Sequence, residues 1–444
     1  VKIVYITAGA GGRICGTCLH DNAVVKALRA RGSDAILVPA YVPTTTDEEN
    51  VAERTVVMGG VNVWLQQHVP LFRHTPGFLD QPLDSRTLLA WLSGRTGSAK
   101  AADLGPLTAS TLEGELGHQR KEVAKLARWL AREEKPDIVH LSNVLLIGLA
   151  RSIRAATGAR IVCSLSGEDV FIDAIPEPQR SRIDNLLRER AADVDRFVAF
   201  NRFNAGFMGG RLGVPAARIA VIPHGVDLAA FPATPPDLAA RRRQRGGKLV
   251  VGFLARGCPE KGLDQLVRAL PIVAERHDVD VIAAGATIDT ERAYLAACHA
   301  LARDLGVADR FRWLGQIDRD AKLDLLDSID VFALPTPRAE AKGLSAIEAL
   351  AAGVPVVASG HGAFPELLDD ERAGLLHAPG DPADLARAIT AILDDESLAA
   401  RLGGHGHALA RERYSAAGMA AEHESLYRSL AGSDARPSAS RGRR

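Results

Sequence analysis

The stretch KLVVGFLARGCPEKGLDQLVRAL, residues 248–270, decides the fold. It opens as an apolar run of strand length, turns through a loop carrying Gly257, Pro259 and Gly262, and continues as an amphipathic helix. A near-continuous Val/Leu/Phe strand is what a parallel sheet covered on both faces requires. The chain begins in the same way. KIVYITAGAGG, residues 2–12, is again a buried strand running into a glycine-containing loop and then a helical pattern.

Working outward, strand-length runs alternate with helical stretches along most of the chain. Strands are expected at 2–7, 34–39, 137–141, 160–165, 196–200 and 219–222, and again at 248–254, 279–284, 310–314, 331–334 and 354–358. Such alternation implies right-handed crossovers and doubly wound layers, hence an α/β chain of two Rossmann-like parallel-sheet domains. Between the two series, Pro232, Pro235, Pro236, the Arg run 241–243 and Gly246-Gly247 read as a linker. The expected organisation is a first domain at 1–228 with an insertion at 42–117, a linker at 229–247 and a second domain at 248–412. A helix at 413–431 and a polar, Arg-rich, disordered tail at 432–444 complete it.

Composition narrows the function. The chain has 444 residues, with Lys plus Arg equal to Asp plus Glu at 54 each, so no global field draws it to nucleic acid or an anionic membrane. The helical stretch at 118–134 carries Arg120, Lys121, Lys125 and Arg128 and suits a membrane surface, but Glu122, Glu133 and Glu134 suit a solvated face. No apolar run approaches the ~18 residues of a spanning helix. A strand pattern starts at once, so no signal peptide is expected. Five cysteines in a chain this long make no disulfide framework, and a cytoplasmic location fits. Cys15-Gly-Thr-Cys18 reads as a redox pair, half a zinc site (with His20 or His140 near) or small packing residues.

Ligands of open α/β sheets bind beyond the carboxyl ends of the strands, so those loops hold the candidates. After the strand at 331–334 comes PTPRAEAKGLSAIEALAAG. The amides of Gly343, Leu344 and Ser345 open a helix and offer a phosphate site. Glu348, one turn in, suits a ribose diol, and Glu340 suits another polyol; both carboxylates also suit a helix dipole. Arg256 and Lys261, in the loop after the strand at 248–254, are placed to stabilise a diphosphate leaving group or to lie as solvated surface charge. Gly12 and Gly16, in AGAGGRICGTC, let a backbone approach a ligand, but their spacing departs from a dinucleotide fingerprint. Ser166, Glu168 and Asp169 follow the strand at 160–165, where an acid holds an acceptor hydroxyl or caps a helix. His140 ends another strand with the same two readings.

These motifs, in this order, resemble the retaining glycosyltransferases of family 4. VIPHGVDLAAF (221–231) is similar to that family's interdomain hinge. Arg256 and Lys261 stand five apart as its cationic pair does. EAKGLSAIEALAAGVPVVAS (340–359) is similar to its paired-Glu motif, with Gly343, Leu344, Gly353 and Pro355 in register. YSAAGMAAEHESLY (414–427) resembles its last helix, and CGTCLHDNAVVKALRARG its opening loop and helix.

The resemblance implies the GT-B fold, two Rossmann-like domains facing across a cleft. It implies an enzyme that moves a sugar from a nucleotide-diphosphate donor to a hydroxyl acceptor, with retention. Arg256 and Lys261 would hold the diphosphate and Glu340 would lie near the transferred sugar. Glu348 would take the ribose, the amides of Gly343–Ser345 would cradle phosphate, and Gly12 or Gly16 would line the first-domain loop. The cations would replace a metal, so neither metal nor further cofactor is expected. Ser166 stands where many members carry a His facing the reacting centre; Ala341-Lys342 replaces Gly-Phe and His224 replaces the hinge Asn. The rivals are a GT-B epimerase, a two-carboxylate glycoside hydrolase, and a nucleotide-sugar-binding protein without catalysis.

Overall fold

The computed structural model describes residues 1–9, 16–53, 56–69, 72, 101–244 and 246–432. The expected tail therefore lies almost wholly outside the described residues, as do Gly12, Cys15 and residues 73–100 of the expected insertion.

Two compact units form. The first holds residues 1–199, 205–222 and those from 419 on; the second holds 200–204 and 223–418. In the first, β1 (Lys2–Thr7), β2 (Asp34–Pro39), β3 (Ile138–Leu141), β4 (Arg160–Ser164), β5 (Arg196–Ala199) and β6 (Ile219–Val221) make one sheet in the order β2-β1-β3-β4-β5-β6. Every pairing is parallel. Successive β1 residues serve opposite faces. Val4 and Ile6 join a core with Val139, Leu141 and Cys163, while Ile3 and Tyr5 join one with Leu28, Met419 and Tyr427. Both faces are thus covered, which is why the strands read as unbroken apolar runs. Met58, Val63, Ala109 and Leu112, from the stretch expected as an insertion, also belong to this core.

In the second unit, β7 (Leu249–Leu254), β8 (Val279–Ala284), β9 (Phe311–Trp313), β10 (Val331–Leu334), β11 (Val356–Ser359) and β12 (Gly374–His377) run in the order β12-β11-β10-β7-β8-β9. The strand order reverses between β7 and β10, which pair side by side. In open α/β sheets that reversal opens a crevice at the carboxyl ends of the two strands.

The stretch expected as a linker is built into the second unit. Leu238 starts a helix (Leu238–Gln244) and is buried in the core. Arg242 donates to Asp330 Oδ1 and Glu396 Oε1, both at 3.4 Å, and Arg241 pairs with Asp327. The basic run finds carboxylates in the fold, so it is a seam of the second unit. The final helix (Ala416–Gly432) sends Met419, Ala420 and Tyr427 into the first unit's core. Among the described residues, no helix is long and apolar enough to cross a membrane.

Candidate active site

The loops after β7 and β10 meet at the reversal. Gly262 makes this contact possible: its φ is +74°, and a Cβ there would lie 2.0 Å from the Pro335 carbonyl oxygen. Only glycine takes this backbone so close to its neighbour without displacing it. The result brings Lys261 against Glu340. Their side chains form an ion pair, Glu340 Oε2 accepting from Lys261 Nζ. Oε1 accepts the Lys342 amide at 3.1 Å, and the Glu340 carbonyl accepts the Ala363 amide at 2.8 Å. Burial alone would push the Glu340 carboxyl up. The Lys261 ammonium and the Lys342 amide and ammonium outweigh it and hold the group down at about 2. Glu340 is therefore a carboxylate at any ordinary pH.

The next helix (Leu344–Ala351) begins at Gly343, whose φ of +69° is left-handed, and no side chain caps it. Ile347 is the first amide bonded back, to the Gly343 carbonyl at 3.1 Å. The amides of Leu344 and Ser345 precede it and carry the positive end of the helix dipole. Glu348 lies one turn further in and is 9% exposed. Its Oε1 accepts from Lys322 Nζ at 2.7 Å. Lys322 comes from the helix Arg319–Ser328, where it shares a buried face with Leu325 and Leu326. Arg256 is half-exposed and ion-paired with Glu291, Nε to Oε1 at 3.1 Å.

Each cation of the expected diphosphate site thus has a carboxylate partner: Lys261 with Glu340, Arg256 with Glu291. Lys322 and Glu291 escape a reading of motifs. Lys322 had a signal, since a lysine at i, i+3, i+4 spacing with two leucines is on an apolar face and needs an anion there. Glu291 had none, because its partner lies on another strand's loop.

The first unit distributes its candidates differently. Gly16 opens the helix Gly16–Ala30 and is exposed. Ser166 Oγ donates to the Ser142 carbonyl at 2.6 Å. Glu168 accepts the Val144 amide at 3.0 Å and the Ser166 amide at 2.9 Å, so both oxygens tie together the loops after β3 and β4. Asp169 starts the short helix Asp169–Asp173 and is buried. His140 is corrected most sharply. It is fully buried, its Nδ1 lies 2.6 Å from Tyr427 Oη and its Nε2 2.8 Å from Ser164 Oγ, which leaves neither nitrogen for an acceptor. A strand-end histidine reads alike in sequence whether it points up to the loops or sideways into a helix. Cys18 is buried in the first helix, and no cluster of three or more His, Cys, Asp or Glu suited to a metal occurs among the described residues.

Two doubly wound parallel sheets are the architecture of the GT-B glycosyltransferases. Residues 103–230 match the family described as Glycosyltransferase Family 4, and residues 237–408 match Glycosyl transferases group 1. The D-inositol 3-phosphate glycosyltransferase of Salinispora arenicola is 30% identical over 343 residues, 71% of this chain and 72% of that protein. The GDP-mannose-dependent alpha-(1-6)-phosphatidylinositol monomannoside mannosyltransferase of Mycobacterium tuberculosis is 31% identical over 269 residues, 58% of this chain and 66% of that protein's length. Among solved structures, sucrose-phosphate synthase from Thermosynechococcus elongatus superposes with a TM-score of 0.71 at 19% identity, covering 98% of this chain and 100% of that one. Anabaena HepE in complex with UDP and glucose gives 0.67 at 19%, covering 97% and 100%. The chain belongs to glycosyltransferase family 4.

Proposed function

We propose that the protein transfers a sugar from a nucleotide-diphosphate donor to a hydroxyl acceptor with retention of anomeric configuration, without a metal. The observation that supports this most is the Lys261–Glu340 pair beside the uncapped helix start at Gly343. In this reading the diphosphate lies against the Leu344 and Ser345 amides, and Arg256 and Lys261 stabilise the charge that grows on it as the bond to the sugar breaks. Lys261 touches both partners, so it couples the leaving group to Glu340. Glu340, held ionised, accepts a hydroxyl of the departing sugar and favours its oxocarbenium-like character. It has no proton to give, which argues against the hydrolase rival, whose acid carboxyl must have a raised pKa. Glu348 accepts the ribose hydroxyls. The acceptor attacks from the face the diphosphate leaves, and a phosphate oxygen takes its proton.

Two relatives act on inositol-bearing acceptors and one uses GDP-mannose by name. We carry both to this chain: GDP-mannose as donor, an inositol-bearing hydroxyl as acceptor. The test is thermal stabilisation by GDP, UDP and ADP, followed by release of nucleotide from the matching sugar donors with and without D-inositol 3-phosphate. GDP should stabilise most, and the product sugar should be α by NMR with EDTA present. A β product, a requirement for added metal, or stabilisation by no nucleotide contradicts the reading.

A further inference from the structure

Arg256 stands on a loop with its side chain 45% exposed, a poor platform for a group that must face a diphosphate in one direction. A free arginine samples many rotamers, and holding it in one costs conformational entropy. The fold supplies an anchor. Glu291 closes a short turn (Asp289–Glu291) after β8 and is 8% exposed. Its Oε2 accepts the Ile288 amide at 3.1 Å, which holds the carboxylate in place, and its Oε1 is ion-paired with Arg256, 3.1 Å from Nε. Ala255 donates to the Ala284 carbonyl and Gly257 to the Ala286 carbonyl, both at 3.0 Å, so the loops that carry the two side chains are laced together on either side of Arg256. Cys258 also lies against the guanidinium, but burial pushes its thiol up to about 11, so it is neutral. Glu260, on the same turn, is the other carboxylate whose charge Arg256 feels.

We infer that Glu291 is a positioning residue for Arg256: ion-paired with Glu291 on its Nε side, the guanidinium turns both terminal nitrogens toward the diphosphate of the donor. The grip has an electrostatic drawback, since a carboxylate beside the cation weakens its pull on phosphate. An anchor therefore makes sense only if direction matters more than net charge, and the two effects have opposite signs in experiment. The inference rests on the proposed contact between Arg256 and the diphosphate, and the test separates the two.

Glu291→Gln keeps the shape and the acceptor for the Ile288 amide while removing the charge that pairs with the guanidinium. Release of GDP from GDP-mannose, or of nucleotide from whichever donor the panel above selects, is measured in the wild-type and Arg256→Met backgrounds. Positioning predicts that Glu291→Gln slows turnover about tenfold in the first background and less than about twofold in the second. An equal loss in both backgrounds means Glu291 only props up its turn, and overturns the inference. Unchanged turnover or tighter nucleotide binding in Glu291→Gln overturns it too, since the carboxylate would then be mere ballast. Arg256→Lys keeps the charge but not the planar group whose Nε side faces Glu291, so it also should slow turnover; full activity there overturns the inference however Glu291→Gln folds. If Arg256→Met itself turns over at the wild-type rate, the assignment of Arg256 to the diphosphate fails, and the inference with it.

Discussion

Glu340 and Glu348 divide two tasks that the sequence presents as one motif. Glu340 is held at about 2 by Lys261 and Lys342 against the opposing effect of burial, so what it would bring to the proposed catalysis is a fixed negative charge. Glu340→Gln removes that charge and leaves Lys261 without its partner. Turnover should fall about a hundredfold, the range for losing one preorganised polar group at a reacting centre, while nucleotide affinity changes little. Steady-state kinetics on the donor checks this, and full turnover in the variant refutes the role. Glu348 is paired to Lys322 with side chains only 11% and 9% exposed. Lys322→Met takes this ion pair from a buried carboxylate and should destabilise the second unit by about 3 kcal/mol. Glu348→Gln in the same chain should restore most of the loss, because the two changes share one interaction. Urea unfolding of the single and double variants measures this, and strict additivity contradicts the pairing.

At the scale of elements, two junctions set what these residues do. The turn at Gly262 seats Lys261. Gly262→Ala meets both a left-handed φ and a backbone oxygen that cannot move aside, so it should cost about 1–3 kcal/mol and part Lys261 from Glu340. Its melting temperature and donor turnover should fall together; a drop in stability with unchanged turnover argues that the pair is not needed. The second junction is the final helix on the first sheet. His140 is gripped by Tyr427 and Ser164 and stacks on Tyr5 at 4.3 Å between ring centroids; His423, fully buried, gives its Nδ1 side to the Met419 carbonyl. Burial pushes His423 down to about 4, and burial followed by the nearby His423 pushes His140 well down.

Both histidines bind protons more readily unfolded than folded. Their contribution is complete above an unfolded pKa of about 6.5 and is lost as pH falls, for His423 until about 4, at up to about 1.4 kcal/mol per pH unit for each ring. Unfolding free energies at pH 7 and pH 5 should differ in that direction, and His423→Phe should shrink the difference. An unchanged pH slope in that variant contradicts the assignment to His423.

At the scale of the whole chain, what the sequence disclosed follows from how strongly each feature is coded. Eleven strands are expected and each appears, most of them because strands covered on both faces are apolar nearly throughout; β6 and β9 are short and only partly buried. The twelfth, β12, is a four-residue strand at the sheet edge, half of it only partly buried, and it left no such run. Arg241 and Arg242 look solvated in a run of linker-like residues until Asp327, Asp330 and Glu396 are seen beside them. Motif residues in the second unit were legible since one loop carries Arg256 and Lys261 and another Glu340 to Glu348. The first unit's candidates were less so, for Glu168 and His140 spend their polar atoms on the fold.

The proposed function requires a diphosphate held at the reversal between β7 and β10. Isothermal titration of GDP into the wild type and into Arg256→Met and Lys261→Met tests it most directly. We predict that GDP binds the wild type and that each variant weakens it by about tenfold or more, as lost charge-assisted contacts of about 1.5–3 kcal/mol require. Equal affinity across all three proteins would contradict it.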